Sequence, residues 1–299
     1  MKKNLLLCLT FFLCMPLFAQ VKGVQNVVLI GADGFGAFML RDHADKLPNL
    51  SALMARGSST LEMRSVLPSS SAVNWASILM GAGPELHGYT EWGSKTPDLP
   101  SRVTTSRGTF PCVMNLTRAK YPKCEIGAFY GWDGIGYLFD TVAVNVGYLS
   151  PDDDQTSAKA CEYLSAKHPK LAFFYLAEPD HTGHTKGWGS TEYIDMCQKI
   201  DRHVGQIIDG IRQAGMEKNT IVIFIADHGG KGTGHGGKTM KEMQVPYIVA
   251  GPGVRGGYTI PESMMVYDNA ALIAHILNLD VPQVWIGRPA MSIFAKGNL

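Results

Sequence analysis

Three apolar runs in this sequence share one ending: "VVLIGAD" stops on Asp33, "FFYLAEPD" on Asp180 and "IVIFIAD" on Asp227. Runs of Val, Ile, Leu and Phe without polar alternation need cover on both faces, which an inner strand of a mostly parallel sheet receives. Two further runs, "EIGAFYG" (Glu125 to Gly131) and "PYIVAG" (Pro246 to Gly251), read as strands of the same kind. Between the runs, "NLSALMARG", "DDDQTSAKACEYLSAKH", "TEYIDMCQKIDRHVGQIIDGIRQAG" and "YDNAALIAHILNL" carry helical periodicity, several with acidic or Ser/Thr starts and a Gly close behind. The alternation predicts an α/β fold, a doubly wound, mostly parallel sheet with helices on both faces. Ligands of such sheets bind beyond the carboxyl ends of the strands. If the three runs are parallel neighbours, their three acids crowd onto one edge.

Crowded carboxylates repel one another and titrate upward unless cations hold them together. Histidines stand beside the same strand ends: His184 four residues after Asp180, His228 next to Asp227, and His235 seven residues further on. Aspartate oxygen with imidazole nitrogen is a ligand set for zinc or a related divalent ion, and the lack of cysteine argues against a closed structural site. A single strand-end Asp is commonly a helix cap. Asp and His recurring at several strand ends is the pattern that capping does not explain. His181 has no spacing that requires it as a ligand. "GADGFG" lacks the glycine of a dinucleotide turn where Asp33 stands, and a carboxylate there would repel a pyrophosphate, which excludes that cofactor.

A nucleophile is available in "VLPSSSAVNWASILM", where Ser69, Ser70 and Ser71 precede a helix expected from Ala72 to about Met80. A helix N-terminus favours an anion, although capping is the commoner use of such serines. A hydroxyl beside a divalent cation ionises near neutral pH without a Ser-His-Asp relay. No G-x-S-x-G elbow occurs, so an ordinary α/β-hydrolase is disfavoured.

The formal charge of +1, from 27 basic and 26 acidic residues, supplies no global field toward a nucleic-acid polymer or a membrane surface. The expected partner is a small anionic substrate held by a local site, and the oligomeric state is left open. "MKKNLLLCLTFFLCMPLFAQ" has the layout of a secretory signal peptide over residues 1–19, with an apolar run too short to span a bilayer. An exported chain is therefore expected, with a single domain over residues 20–299. Cys8 and Cys14 leave with the signal. Of the remaining cysteines, Cys112 and Cys124 flank a short loop and form the favoured pair, while Cys161 and Cys197 read as core residues.

The order of motifs, Asp33-Gly, "PSSSAVN", "GPELHG", "EPDHTGH", "ADHG" and "GHGG" leading into "VPYIVAGPGV", resembles the alkaline-phosphatase superfamily, nearest its type I phosphodiesterase/nucleotide pyrophosphatase branch. These matches run from about Gly31 to Gly253. The resemblance implies two divalent metal ions, zinc foremost. Asp33, Ser71, Asp227 and His228 would hold one, and Asp180, His184 and His235 the other. It selects Ser71 as nucleophile because Asn74 lies three residues on; Asn74 and the amide of residue 72 would donate to a phosphoryl oxygen. The implied activity is cleavage of phosphodiester or pyrophosphate bonds through a phosphoserine intermediate. A phosphomonoesterase, phosphonate hydrolase or sulfatase is the alternative, and a metal-stabilised binding protein the alternative from another class. The short gap between His228 and His235 departs from the family pattern, and the C/S-x-P-x-R motif of sulfatases is missing. Trp75, Tyr89, Trp92 and Trp188 are candidates to stack a base, and Lys231 and Lys238 to touch phosphate.

Overall fold

The computed structural model describes residues 21–295 and residue 297, so the expected signal peptide, with Cys8 and Cys14, lies outside the described residues. Eight strands form one sheet: β1 (Asn26–Ala32), β2 (Ser58–Arg64), β3 (Ile126–Tyr130), β4 (Val146–Leu149), β5 (Leu171–Leu176), β6 (Thr220–Ala226), β7 (Gln244–Ala250) and β8 (Tyr258–Thr259). Their order across the sheet is β4-β3-β5-β1-β6-β7-β2-β8. The strands from β4 to β6 run parallel, and β7 is antiparallel to both of its neighbours. The expected mostly parallel α/β sheet is therefore present, with one strand reversed.

The three strands that end on acids are adjacent. Ala32 at the end of β1 pairs with Leu176 of β5 on one side and Ala226 of β6 on the other, so the three chains leave the sheet level with each other. Every residue of β1, β5 and β6 is buried, as their unbroken apolar composition requires. Each Val, Leu, Ile or Phe taken fully out of water contributes about 1.5–3 kcal/mol, and this central ribbon fixes the positions of its own ends. Sequence reading missed β2, β4 and β8. The first is polar, "SSTLEMR", the second is a half-exposed edge strand, and the third has two residues.

Two helices flank the acid edge. The helix Ser71–Met80 is buried at all ten positions and stops at Gly81, whose left-handed φ of 62° lets its N–H reach the carbonyl of Ser77. Its Trp75 ring lies over Gly31, where a Cβ would collide with it, and packs on Tyr175 at 5.1 Å between centroids. The long helix Thr191–Gln213 is capped by Ser190 and buries its apolar face, from which the Tyr193 hydroxyl donates to the Gly34 carbonyl at 2.8 Å. The cysteines are free among the described residues, and the favoured Cys112–Cys124 pairing is not made: the Cys112 thiol instead donates to Asn115 Oδ1 at 2.9 Å. No helix among the described residues is long and apolar enough to cross a membrane.

Candidate active site

At the edge formed by β5, β1 and β6, the three acids and three histidines converge. Asp33 is held most closely through one oxygen: Tyr175 Oη donates to Oδ2 at 2.5 Å and Trp75 Nε1 at 3.0 Å. Its Oδ1 is left facing inward, 3.5 Å from Ser71 Oγ and 3.5 Å from His228 Nε2. Asp227 accepts from Gly34 N–H through Oδ1 at 3.1 Å, and its Oδ2 lies buried without a hydrogen-bond partner. Asp180 opens the short helix Asp180–Lys186 and also leaves Oδ1 buried and unpartnered. That oxygen is 3.7 Å from His235 Nε2 and 4.0 Å from His228 Nε2, while Oδ2 is 3.5 Å from His184 Nε2. Gly34 permits this convergence, because with φ 68° a side chain there would be both strained and driven into Asp180.

The histidines are oriented alike. Nδ1 of His184 faces the Thr233 carbonyl at 3.0 Å, Nδ1 of His228 the Gly229 carbonyl at 2.8 Å, and Nδ1 of His235 the Ser69 carbonyl at 3.0 Å. A carbonyl only accepts, so each Nδ1 carries the proton and each Nε2 turns a lone pair inward. Nε2 of His184 and Nε2 of His235 are 3.1 Å apart, two acceptors face to face. Imidazole lone pairs and orphaned carboxylate oxygens aimed at one space are the donor set of a cation site, with the backbone carbonyls fixing the tautomers. Two groups of ligand atoms lie close enough to share an ion: Asp180, His184 and His235, and Asp33, Asp180 and His228. Asp180, expected on one ion alone, reaches both groups. Asp227 stands behind His228, with Oδ2 3.2 Å from its Nε2.

Electrostatics agree with the donor chemistry. Burial first, then mutual repulsion, lifts the Asp180 and Asp227 carboxyls well above the ordinary range, and burial lifts Asp33 despite its hydrogen bonds. Burial depresses His228 to about 3 and His235 to about 4, so neither imidazole supplies a compensating charge. No lysine or arginine lines the adjoining cavity of about 780 Å3. A divalent cation satisfies at once the carboxylates, the lone pairs and the missing positive charge.

Among the three serines, only Ser71 meets the cluster, with Oγ 3.2 Å from His228 Nε2. Ser69 Oγ donates to the Gly237 carbonyl at 2.6 Å, and Ser70 occupies the cap position without a side-chain capping bond. The two groups expected to donate to a phosphoryl oxygen have partners within the protein. Asn74 is fully buried: Oδ1 accepts from Val66 N–H at 2.7 Å and Nδ2 donates to the Pro68 and Ser70 carbonyls, so it braces the loop ahead of Ser71 rather than facing the cavity. The amide of Ala72 donates to the Trp92 carbonyl at 3.0 Å. Of the candidate aromatics, Trp92 alone lines the cavity; Trp75 is spent on Asp33, Tyr89 on the Tyr137 carbonyl and Trp188 on the Gly34 carbonyl. Lys231 and Lys238 do not line it, whereas His181 does. Sequence reading missed Glu91, Trp132 and Tyr175 in the cavity wall; the Tyr at the penultimate position before the end of β5 was the one available signal, since a hydroxyl inside an apolar run needs a buried partner.

The family model for type I phosphodiesterase/nucleotide pyrophosphatase matches residues 27–241. Mouse ectonucleotide pyrophosphatase/phosphodiesterase family member 1 is 31% identical over 216 residues, 68% of this chain and 24% of that protein. Venom phosphodiesterase 2 of Crotalus adamanteus is 28% identical over 214 residues, 68% of this chain and 26% of that one. The chain thus spans about a quarter of the length of these curated relatives. Murine ectonucleotide pyrophosphatase/phosphodiesterase 5, solved as an inactive variant in complex with AMP, superposes with a TM-score of 0.72 at 18% identity, covering 91% of this chain and 100% of that one. With the family model spanning the strand-end acids, the serine helix and all three histidines, the chain belongs to the type I phosphodiesterase/nucleotide pyrophosphatase family.

Proposed function

We propose that the protein is an exported hydrolase that uses two divalent metal ions, zinc foremost, to cleave phosphodiester or pyrophosphate bonds through a phosphoserine on Ser71. The observation that carries this reading is the set of three inward Nε2 lone pairs and two unpartnered carboxylate oxygens beside one serine hydroxyl. Bound there, the ions would act as Lewis acids, lowering the hydroxyl pKa and neutralising charge on the reacting phosphoryl group. Asp33, Asp227 and His228, with Ser71, would hold one ion, and Asp180, His184 and His235 the other, with Asp180 in reach of both. Ser71 Oγ, its proton passing to solvent through the cavity, forms the bond to phosphorus as the leaving oxygen departs in line. Water then attacks the phosphoserine, restoring the Ser71 hydroxyl and releasing the phosphate product.

A diester fits better than a monoester. A monoester presents three charged non-bridging oxygens and needs donors beyond the ions, yet Asn74 and the Ala72 amide are engaged elsewhere and no lysine or arginine lines the cavity. The cavity has room for a second substituent instead. Export is supported by the signal-like residues 1–19 and by the names of relatives, which include ectoenzymes and venom proteins. Metal analysis with hydrolysis of bis-p-nitrophenyl phosphate, p-nitrophenyl phosphate and p-nitrophenyl sulfate tests the whole reading. The expected outcome is two ions per chain and fastest release from the diester. Bound metal without turnover of any ester would identify a binding protein instead.

A further inference from the structure

Beyond the cluster, the cavity wall has its own chemistry. It is built from Glu91, Trp92, Trp132 and Tyr175, with His181 at the side, and contains no lysine or arginine. The turn carrying Glu91 and Trp92 is held from within. Glu91 N–H donates to Ser94 Oγ at 3.0 Å, and Ser94 Oγ contacts Asp98 Oδ2 at 2.5 Å. Asp98 also accepts from Thr90 N–H at 2.8 Å and from Thr90 Oγ1 at 3.0 Å. The Trp92 carbonyl accepts the Ala72 amide, which ties the turn to the residue after Ser71. Trp132 follows β3 and lines the same cavity, its ring 6.4 Å from Tyr175, the residue that grips Asp33. The lysine closest in sequence to this turn, Lys95, is bound to Asp133 at 3.0 Å and lies outside the lining.

Resting on the phosphodiesterase reading above, we infer that Glu91, Trp92 and Trp132 form a specificity subsite for a positively charged ester substituent, an amine or quaternary ammonium. A carboxylate with two indole rings attracts a cation through charge and ring quadrupole together. The same wall disfavours a substituent that ends in a carboxylate, since no basic side chain lines it to answer that charge. Trp92 is 67% exposed, an outlay of apolar surface on a pinned turn that becomes covered when a ligand seats against it. Glu91 is exposed as well, so its pull is screened by salt and the selectivity falls as ionic strength rises.

Three p-nitrophenyl phosphodiesters of matched size test this: the 2-(trimethylammonio)ethyl, 3,3-dimethylbutyl and 3-carboxypropyl esters. The wild-type protein is expected to prefer the cationic over the neutral ester by about tenfold in kcat/KM, with the anionic ester last. Glu91→Gln and Trp92→Leu should each move the cationic-to-neutral ratio toward one. Tryptophan fluorescence of Ser71→Ala, titrated with the same esters, reads the binding order without turnover. Equal ratios in wild type and Glu91→Gln, or tightest binding of the anionic ester, would overturn the subsite. If the wild type hydrolyses none of the three, the phosphodiesterase reading fails, and the binding order alone then decides the subsite.

Discussion

Two sets of aspartates with enclosed carboxylate oxygens sit in this fold and behave in opposite ways. Asp201, in the long helix, accepts from Asn49 N–H at 3.1 Å, Asn49 Nδ2 at 2.8 Å and Leu50 N–H at 2.8 Å, closing the N-terminus of the helix Pro48–Arg56. Asp268 accepts from Met265 and Arg288 N–H, and Asp153 from Ala177 and Glu178 N–H, all between 2.8 and 3.0 Å. Each of these carboxylates has both oxygens satisfied by the protein. Asp227, fully buried, and Asp180, half-buried, each leave an enclosed oxygen with nothing to accept from. The first set stabilises the fold by itself, while the second is complete only with a cation. Burial therefore does not distinguish a structural acid from a ligand; the count of donors does.

The comparison is tested most severely by activity. Ser71→Ala and Asp180→Asn should each lower phosphodiester turnover at least about a thousandfold, with Asp180→Asn also losing metal by elemental analysis and Ser71→Ala retaining it. Asp201→Ala should leave metal content unchanged and cost about 3 kcal/mol of stability in urea unfolding, because three donors at a helix start lose their acceptor. A cluster acid that destabilised the chelated protein as strongly as this would erase the distinction. After chelation, Asp180→Asn should instead raise stability by about 1 kcal/mol, since the amide folds without the proton uptake that the enclosed carboxyl requires.

The smallest effect is a slope against pH. In chelated protein the Asp180 pKa lies above its unfolded value of 3.8, pushed up by burial and by Asp33. Between pH 7 and 9 the folded state then holds a proton that the unfolded state has lost, so stability should fall as pH rises. That slope should flatten in Asp180→Asn and in metal-loaded protein, measured by urea midpoints. His87 supplies the opposite sign in a region without ligands. Its Nδ1 accepts from Tyr89 N–H, its Nε2 meets Ser77 Oγ, and burial depresses it to about 3. Its contribution is complete above about pH 6.5 and is lost on acidification, and His87→Gln should reduce the acid-side slope.

Much of this was legible from residues alone. The central strands could be read because a run such as "IVIFIA" has no polar face to give to water, and the cluster of acids and imidazoles because Asp and His recur where those runs end. The edge strands were not legible: "SSTLEMR" becomes a strand by pairing with β7, far along the chain. The partners of Asn74 were hidden for the same reason. Its spacing from Ser71 matches a phosphoryl donor, but a side-chain amide follows its nearest partners, and those are the carbonyls of the Val66–Ser70 loop.

The sequence by itself determined which residues could chelate and where the sheet would be buried, since both follow from side-chain chemistry and local hydrophobic pattern. Only the tertiary structure decided which serine meets the histidines, which acids keep an oxygen free, and that Glu91, Trp92 and Trp132 share a wall with them. Those outcomes depend on hydrogen-bond competition between segments far apart in the chain, and no local pattern encodes who wins it.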